Sequence, residues 1–370
     1  MTQAILHGDT RMLELRWPDG LAATFPYIWL RDNDPAGFHP DTQERTFDLL
    51  SVPHDIGLAE ATVAGPDLEL VWQDQQSLSR FSLDWLKTHR PGVSLDDPAD
   101  IAHVAWRSDL GASGIPRAEA DAITTSDTAL QDWMIQTKRY GVSIVQGLAD
   151  STAAGIAIAR RISFLRETNF GLTFEVKSKP NPNNSAYTAD ALPFHTDLPN
   201  QELPPGFQFL HCLRNEAVGG GSLFCDGVAI AEDLRAADAS AFDLLSQVSV
   251  PFRFRDQTHD IRCRQKVITQ TEDGRVSEVC YNAHIAGILD LAPDMLQAYY
   301  AAYRAFMTLT RDASYRVTLK LRRGEMVVFD NRRVMHGRQS FDPSTGARHL
   351  HGCYVDRGEF DSRLRVLARD

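Results

Sequence analysis

Leu192-Pro193-Phe194-His195-Thr196-Asp197 sets an imidazole and a carboxylate two residues apart. In a strand, residues i and i+2 point to the same side, so both groups can reach one metal ion. Such a pair alone is equally well a hydrogen-bonded histidine at a strand end. A second stretch, Phe329-Asp330-Asn331-Arg332-Arg333-Val334-Met335-His336-Gly337-Arg338, supplies a distal ligand, His336. Two histidines and one carboxylate on one face of an octahedron leave three positions open, the pattern of non-haem iron(II) oxygenases. Arg348 follows His336 on the next expected strand, where a guanidinium can hold a carboxylate bidentately. The co-substrate 2-oxoglutarate carries such a carboxylate, and its keto acid end chelates iron. Ser222, in Gly219-Gly220-Gly221-Ser222, is placed to add a hydroxyl to the same carboxylate. A zinc hydrolase would use the same His and Asp ligands but would leave Arg348 without a role.

Working outward, the stretches 206–212, 248–255, 277–282, 316–320 and 325–329 read as strands. Helices are expected near 229–247 and 293–311. Upstream, 127–140 and 151–166 read as helices flanking a core strand at 141–147. Residues 1–92 give short alternating segments such as Met12-Leu13-Glu14-Leu15-Arg16-Trp17 and Leu68-Glu69-Leu70-Val71-Trp72. The reading is a small β-rich N-terminal domain over 1–92, a linker over 93–126 and a catalytic domain over 127–370. The fold class is mainly β with flanking helices.

The chain has 370 residues, 38 Lys and Arg, 49 Asp and Glu, and a formal net charge of −11. That balance disfavours nucleic acid or an anionic membrane as partner. No run reaches the roughly 18 apolar residues of a membrane span. The N-terminus has no signal-peptide core, and the five cysteines show no metal-binding spacing, which suits a cytoplasmic protein with reduced thiols.

Several motifs together resemble one family. They are Trp29-Leu30-Arg31-Asp32-Asn33, Asn183-Asn184-Ser185-Ala186-Tyr187-Thr188, Phe194-His195-Thr196-Asp197, Pro204-Pro205-Gly206, Leu210-His211-Cys212, Asp330-Asn331 through Ser340, and Arg348 through Arg365. The sequence resembles the taurine-dioxygenase-type oxygenases, most closely the γ-butyrobetaine and trimethyllysine hydroxylases. The resemblance implies a double-stranded β-helix (jelly-roll) catalytic domain, Fe(II) on His195, Asp197 and His336, and 2-oxoglutarate on Arg348 and Ser222, with O2 as co-substrate. It also implies a homodimer and a small quaternary ammonium substrate.

Those hydroxylases hold a trimethylammonium group among aromatic rings, by cation–π attraction and burial of methyl groups. The matching positions are Phe170, Phe174, Tyr187 and Tyr354. Phe170 and Phe174 are also spaced as on an ordinary helix face. Asn184 and Asn282 are the candidate donors for the substrate's anionic end. Leu198 stands where the resemblance leads one to expect a tyrosine, so a carboxylate of the γ-butyrobetaine kind and a phosphonate both remain open. Relatives carry a structural zinc on cysteines after the Leu-Arg-Asp-Asn motif. Here Asp34, Ala36 and His39 occupy those positions, with Gln76 in place of a histidine, so no structural zinc is expected. A betaine-binding protein without catalysis is the remaining alternative.

Overall fold

The computed structural model describes residues 1–73, 78–177 and 188–369. They form two compact units, Met1–Asp97 and Pro98–Asp370.

In the first unit, Gln3–His7, Met12–Arg16 and Ala22–Pro26 make one antiparallel sheet, and Leu58–Ala64, Asp67–Trp72 and Leu78–Ser82 another. Alternation buries Leu68, Leu70 and Trp72 against Leu13, Leu15, Phe25 and Phe81. At the positions discussed for zinc, Asp34 is buried. Its carboxylate takes a hydrogen bond from Ser79, contacts Arg31 at 3.2 Å, and accepts the Ala36 amide at 3.0 Å. The indole of Trp72 donates to Ser79 Oγ at 2.7 Å, and Arg31 stacks over Phe47. His39 Nδ1 accepts the backbone amides of Asp41 and Thr42. Gln76 lies outside the described residues.

The second unit is a sandwich of two sheets. One holds Leu192–His195, Val334–Arg338, Ser222–Asp226 and Val317–Leu319, in that order. The other runs Arg117–Glu119, Val142–Gln146, Met326–Asp330, Phe207–Asn215, Arg348–Val355, Phe174–Val176. All pairings are antiparallel except the first of the larger sheet. Leu210, Phe224, Val327, Phe329, Val334 and Leu350 pack in a core that draws on strands of both sheets. Helices Asp127–Tyr140, Thr152–Ile162 and Arg357–Leu367 cover the outer face of the larger sheet. Gly227–Ala237, Ala239–Gln247 and Pro293–Arg311 bury Cys225 and Met335 behind the smaller one. Paired strands buried on both faces explain the largely apolar stretches Val142-Ser143-Ile144-Val145 and Met326-Val327-Val328-Phe329.

Two expectations change. The helix expected near 229–247 is two helices, because Asp238 stops the first and caps the second, accepting the Ala241 amide at 3.0 Å. The stretch 93–126 is not a free linker: from Pro98 it belongs to the second unit. Trp106 and Ile115 are buried, and Arg117–Glu119 adds an edge strand. A fully buried ion pair, Arg333 to Asp226 at 2.7 Å, also reaches Val104 O and the Trp106 amide. Those contacts join segments far apart in sequence and leave no local periodicity to read.

No helix among the described residues is long and apolar enough to cross a membrane. The five cysteines are all free, three of them buried.

Candidate active site

His195 ends one strand and His336 lies directly across from it on the next, so pairing alone brings the imidazoles together, with ring centroids 4.3 Å apart. Asp197 Oδ1 lies 3.3 Å from His195 Nε2 and 3.7 Å from His336 Nε2. Among the described residues these three form the one cluster whose ligand atoms lie mutually within 4.8 Å.

Each ligand is aimed by a further group. His195 Nδ1 donates to Pro193 O at 2.9 Å, which leaves Nε2 as the lone-pair donor. Tyr354 Oη donates to Asp197 Oδ2 at 2.7 Å, which leaves Oδ1 facing the histidines. Asn331 accepts the Asp197 amide at 2.6 Å and donates to the Asp197 carbonyl at 3.0 Å, clamping the loop. Burial opposes ionisation of Asp197, but His336 and His195 outweigh it and hold the carboxyl below its ordinary range. Burial lowers His336 to about 3, keeping it a neutral donor. For His195, burial pulls down but the Asp197 carboxylate raises the pKa overall.

Arg348 is buried on the wall of the same cavity, yet its Nε and Nη1 have no hydrogen-bond partner among the described residues. A buried guanidinium left so is costly unless an anion meets it. Burial, with the nearby Arg338 charge, lowers it only to about 10, so it stays cationic at neutral pH. Gly220 (φ +67°) lets it pass: a Cβ there would come within 3.1 Å of Arg348 Cδ and Nε. Ser222 is buried on the same wall. The donor set of two imidazoles, one carboxylate and a buried arginine with two unpartnered nitrogens among the described residues therefore fits iron(II) with 2-oxoglutarate.

The cavity is about 630 Å³ and extends from the triad past Phe170, Phe174, Tyr354 and Phe254. The Phe174 and Tyr354 rings stand 5.0 Å apart, and Phe170 meets Phe254 edge-on at 5.4 Å. Phe170 and Phe174 are not on a helix: Phe174 begins a short strand opposite Gly352. A Cβ on Gly352 would lie 2.4 Å from the Phe174 ring, so only glycine leaves that ring its place. Asn282 also lines the cavity, but its amide donates to Thr196 O at 3.2 Å and its oxygen accepts the His284 amide at 3.1 Å. Its hydrogen bonds hold the Thr196 backbone inside the ligand motif. Leu198 lines the cavity with φ +55°. Asn184 and Tyr187 lie outside the described residues.

The sequence reading missed Phe254, Asn331 and the Tyr354 hydroxyl. The alternation Phe252-Arg253-Phe254-Arg255 was the available signal for the first. The other two act across long sequence separations and carry none.

Residues 106–354 match the taurine catabolism dioxygenase TauD, TfdA family, and residues 4–87 the gamma-butyrobetaine hydroxylase-like N-terminal family. Gamma-butyrobetaine dioxygenase of Pseudomonas sp. (strain AK-1) is 39% identical over 360 residues, spanning 96% of this chain and 94% of that protein. Mitochondrial trimethyllysine dioxygenase of Gallus gallus is 29% identical over 376 residues, spanning 98% and 87%. Among solved structures, asparagine oxygenase in complex with Fe(II), 2S,3S-3-hydroxyasparagine and succinate superposes with a TM-score of 0.52 at 18% identity, over 64% of this chain and 83% of that one. That likeness speaks for the jelly-roll fold.

Proposed function

We propose, from the premise that this chain belongs to the TauD, TfdA family of iron(II)- and 2-oxoglutarate-dependent dioxygenases, that it hydroxylates a small trimethylammonium compound with an anionic end, of the γ-butyrobetaine type. One observation carries the reading: a single cavity joins the three metal-ligand side chains, the unpartnered Arg348 and a wall of aromatic rings.

His195, Asp197 and His336 would hold the iron, and Arg348 with Ser222 the distal carboxylate of 2-oxoglutarate. The bound pair supplies oxidation of a C–H bond to an alcohol by O2, with succinate and CO2 released. The chain's own part is orientation. Pro193 fixes the His195 tautomer, Tyr354 and Asn331 fix Asp197, and Leu192, Leu210 and Leu350 line the cavity with apolar surface that excludes water. Phe170, Phe174 and Tyr354 would face the trimethylammonium group, with Tyr187 joining them on the strength of sequence alone. Asn184 and Asn282 are the proposed donors near the anionic end, Asn282 chiefly through its hold on Thr196. The same resemblance supports a homodimer, and the five free cysteines suit a cytoplasmic location.

A second reading, a trimethylammonium phosphonate as substrate, is favoured by the apolar Leu198 and by Arg253 and Arg255 on the cavity wall. A panel assay separates the two. γ-Butyrobetaine, trimethyllysine and 2-(trimethylamino)ethylphosphonate are each incubated with enzyme, Fe(II), 2-oxoglutarate and O2. The expected result is succinate matched one for one by a substrate heavier by one oxygen, with one of the first or last compounds. Turnover of none of the three would overturn the trimethylammonium reading.

A further inference from the structure

The hairpin Ser249–Arg255 with Asp260–Lys266 departs from the rest of the molecule in charge. Between residues 249 and 266 it carries Arg253, Arg255, Arg262, Arg264 and Lys266 against Asp256 and Asp260, in a chain whose net charge is −11. Register sets Arg253 directly opposite Arg262, a like-charge pair that weakens a hairpin. The partners of these arginines are unequal. Arg253 is held bidentately by Asp260 at 2.7 and 2.6 Å, and Arg264 by Asp290 at 3.1 and 2.9 Å. Arg262 reaches Asp260 only at 3.9 Å. Arg255 has no carboxylate within 4.0 Å among the described residues, and it lines the cavity beside Phe254.

The other cavity arginines are spoken for. Arg338 donates to Thr188 O at 2.8 Å and Asp190 O at 2.7 Å, and Arg348 is the residue proposed above for the co-substrate's carboxylate. Among the described residues four arginines thus line the cavity, while the single acidic side chain there, Asp197, is a candidate metal ligand. A substrate without an anionic group gains nothing from such a wall, and a bare cation is repelled by it.

We propose that Arg255 is a specificity residue that binds the anionic group of the substrate. The proposal rests on the trimethylammonium reading for the substrate's cationic end only. Because Arg255 is exposed, its contribution falls on capture and is screened by salt.

The test compares Arg255→Gln with Arg262→Gln, a neighbour on the same hairpin that does not line the cavity. KM is measured for the best anionic substrate of the panel, for its neutralised amide analogue and for 2-oxoglutarate. Arg255→Gln is expected to raise KM for the anionic substrate about five- to tenfold. It should leave kcat and the KM for 2-oxoglutarate within about twofold and leave the amide's KM unchanged or lower. Raising salt should raise KM in the parent enzyme and much less in the variant, and Arg262→Gln should match the parent. An unchanged ratio of anionic to amide KM in Arg255→Gln would overturn the proposal, as would a best substrate with no anionic group. A best substrate that is anionic but lacks a quaternary ammonium would overturn the aromatic-wall reading and leave Arg255 to be judged on the same ratio.

Discussion

The two ends of the cavity are built differently. At the metal end, His195 and His336 sit on paired strands, and Pro193, Tyr354 and Asn331 aim the ligands. At the substrate end, Phe170 lies in a turn, Phe174 on a short edge strand, and Phe254 and Arg255 on an outlying hairpin. The first end is set by sheet register, which cannot slip without turning every buried side chain outward. The second is set by side-chain packing between separate segments, Phe170 against Phe254 and Phe174 against Tyr354. In the proposed reading, the chemistry rests on paired strands and the selectivity on contacts between separate segments.

That contrast can be broken from either side. The largest effect is expected for Arg348→Met, which should raise KM for 2-oxoglutarate about 30- to 100-fold, since a buried charged contact is lost. An unchanged KM would remove Arg348 from the co-substrate site. Next is Tyr354→Phe, which keeps the ring and deletes the hydrogen bond to Asp197 Oδ2. Iron affinity, titrated by activity and by direct metal binding, should fall about tenfold, as for other residues that orient metal ligands. A change in substrate KM alone would place Tyr354 only in the aromatic wall. Phe174→Leu should act in the opposite sense. Iron affinity should hold, while KM rises about three- to tenfold for the trimethylammonium substrate relative to its uncharged tert-butyl isostere. Equal losses for both would make the ring mere packing.

Much of the metal end was legible in the sequence. The spacing of His195 and Asp197 suggested a shared face, and the segment around His336 offered a candidate third ligand, which strand pairing brings opposite His195. The helices 127–140 and 293–311 followed from periodicity and emerged with those bounds. Less of the substrate end was legible. Nothing near Tyr354 in sequence says that its hydroxyl meets Asp197, and nothing near Phe254 says that its ring meets Phe170. The stretch from Pro98 read as linker because the groups that bury it, Asp226 and Arg333, lie more than a hundred residues away.

The smallest expected effect belongs to the outer face of the larger sheet, remote from the chemistry. His211 is buried, opposite His351, with neither ring nitrogen hydrogen-bonded among the described residues, and burial lowers its pKa to about 4. The unfolded chain therefore binds a proton below about pH 6.5 that the folded one refuses, so stability falls as pH drops from there toward 4. His211→Leu should flatten that slope in denaturant titrations at pH 7 and pH 5. An unaltered slope would assign the acid sensitivity elsewhere.

The central claim is that the residues at the metal end perform a hydroxylation coupled to 2-oxoglutarate on a substrate held by the aromatic end. Its most direct test uses isotope-labelled O2 with the parent enzyme and His195→Ala. The parent should deliver one labelled oxygen to the trimethylammonium substrate and one to succinate in equal amounts, and His195→Ala should deliver neither. Labelled product from His195→Ala, or succinate formed by the parent without any labelled substrate, would contradict the account.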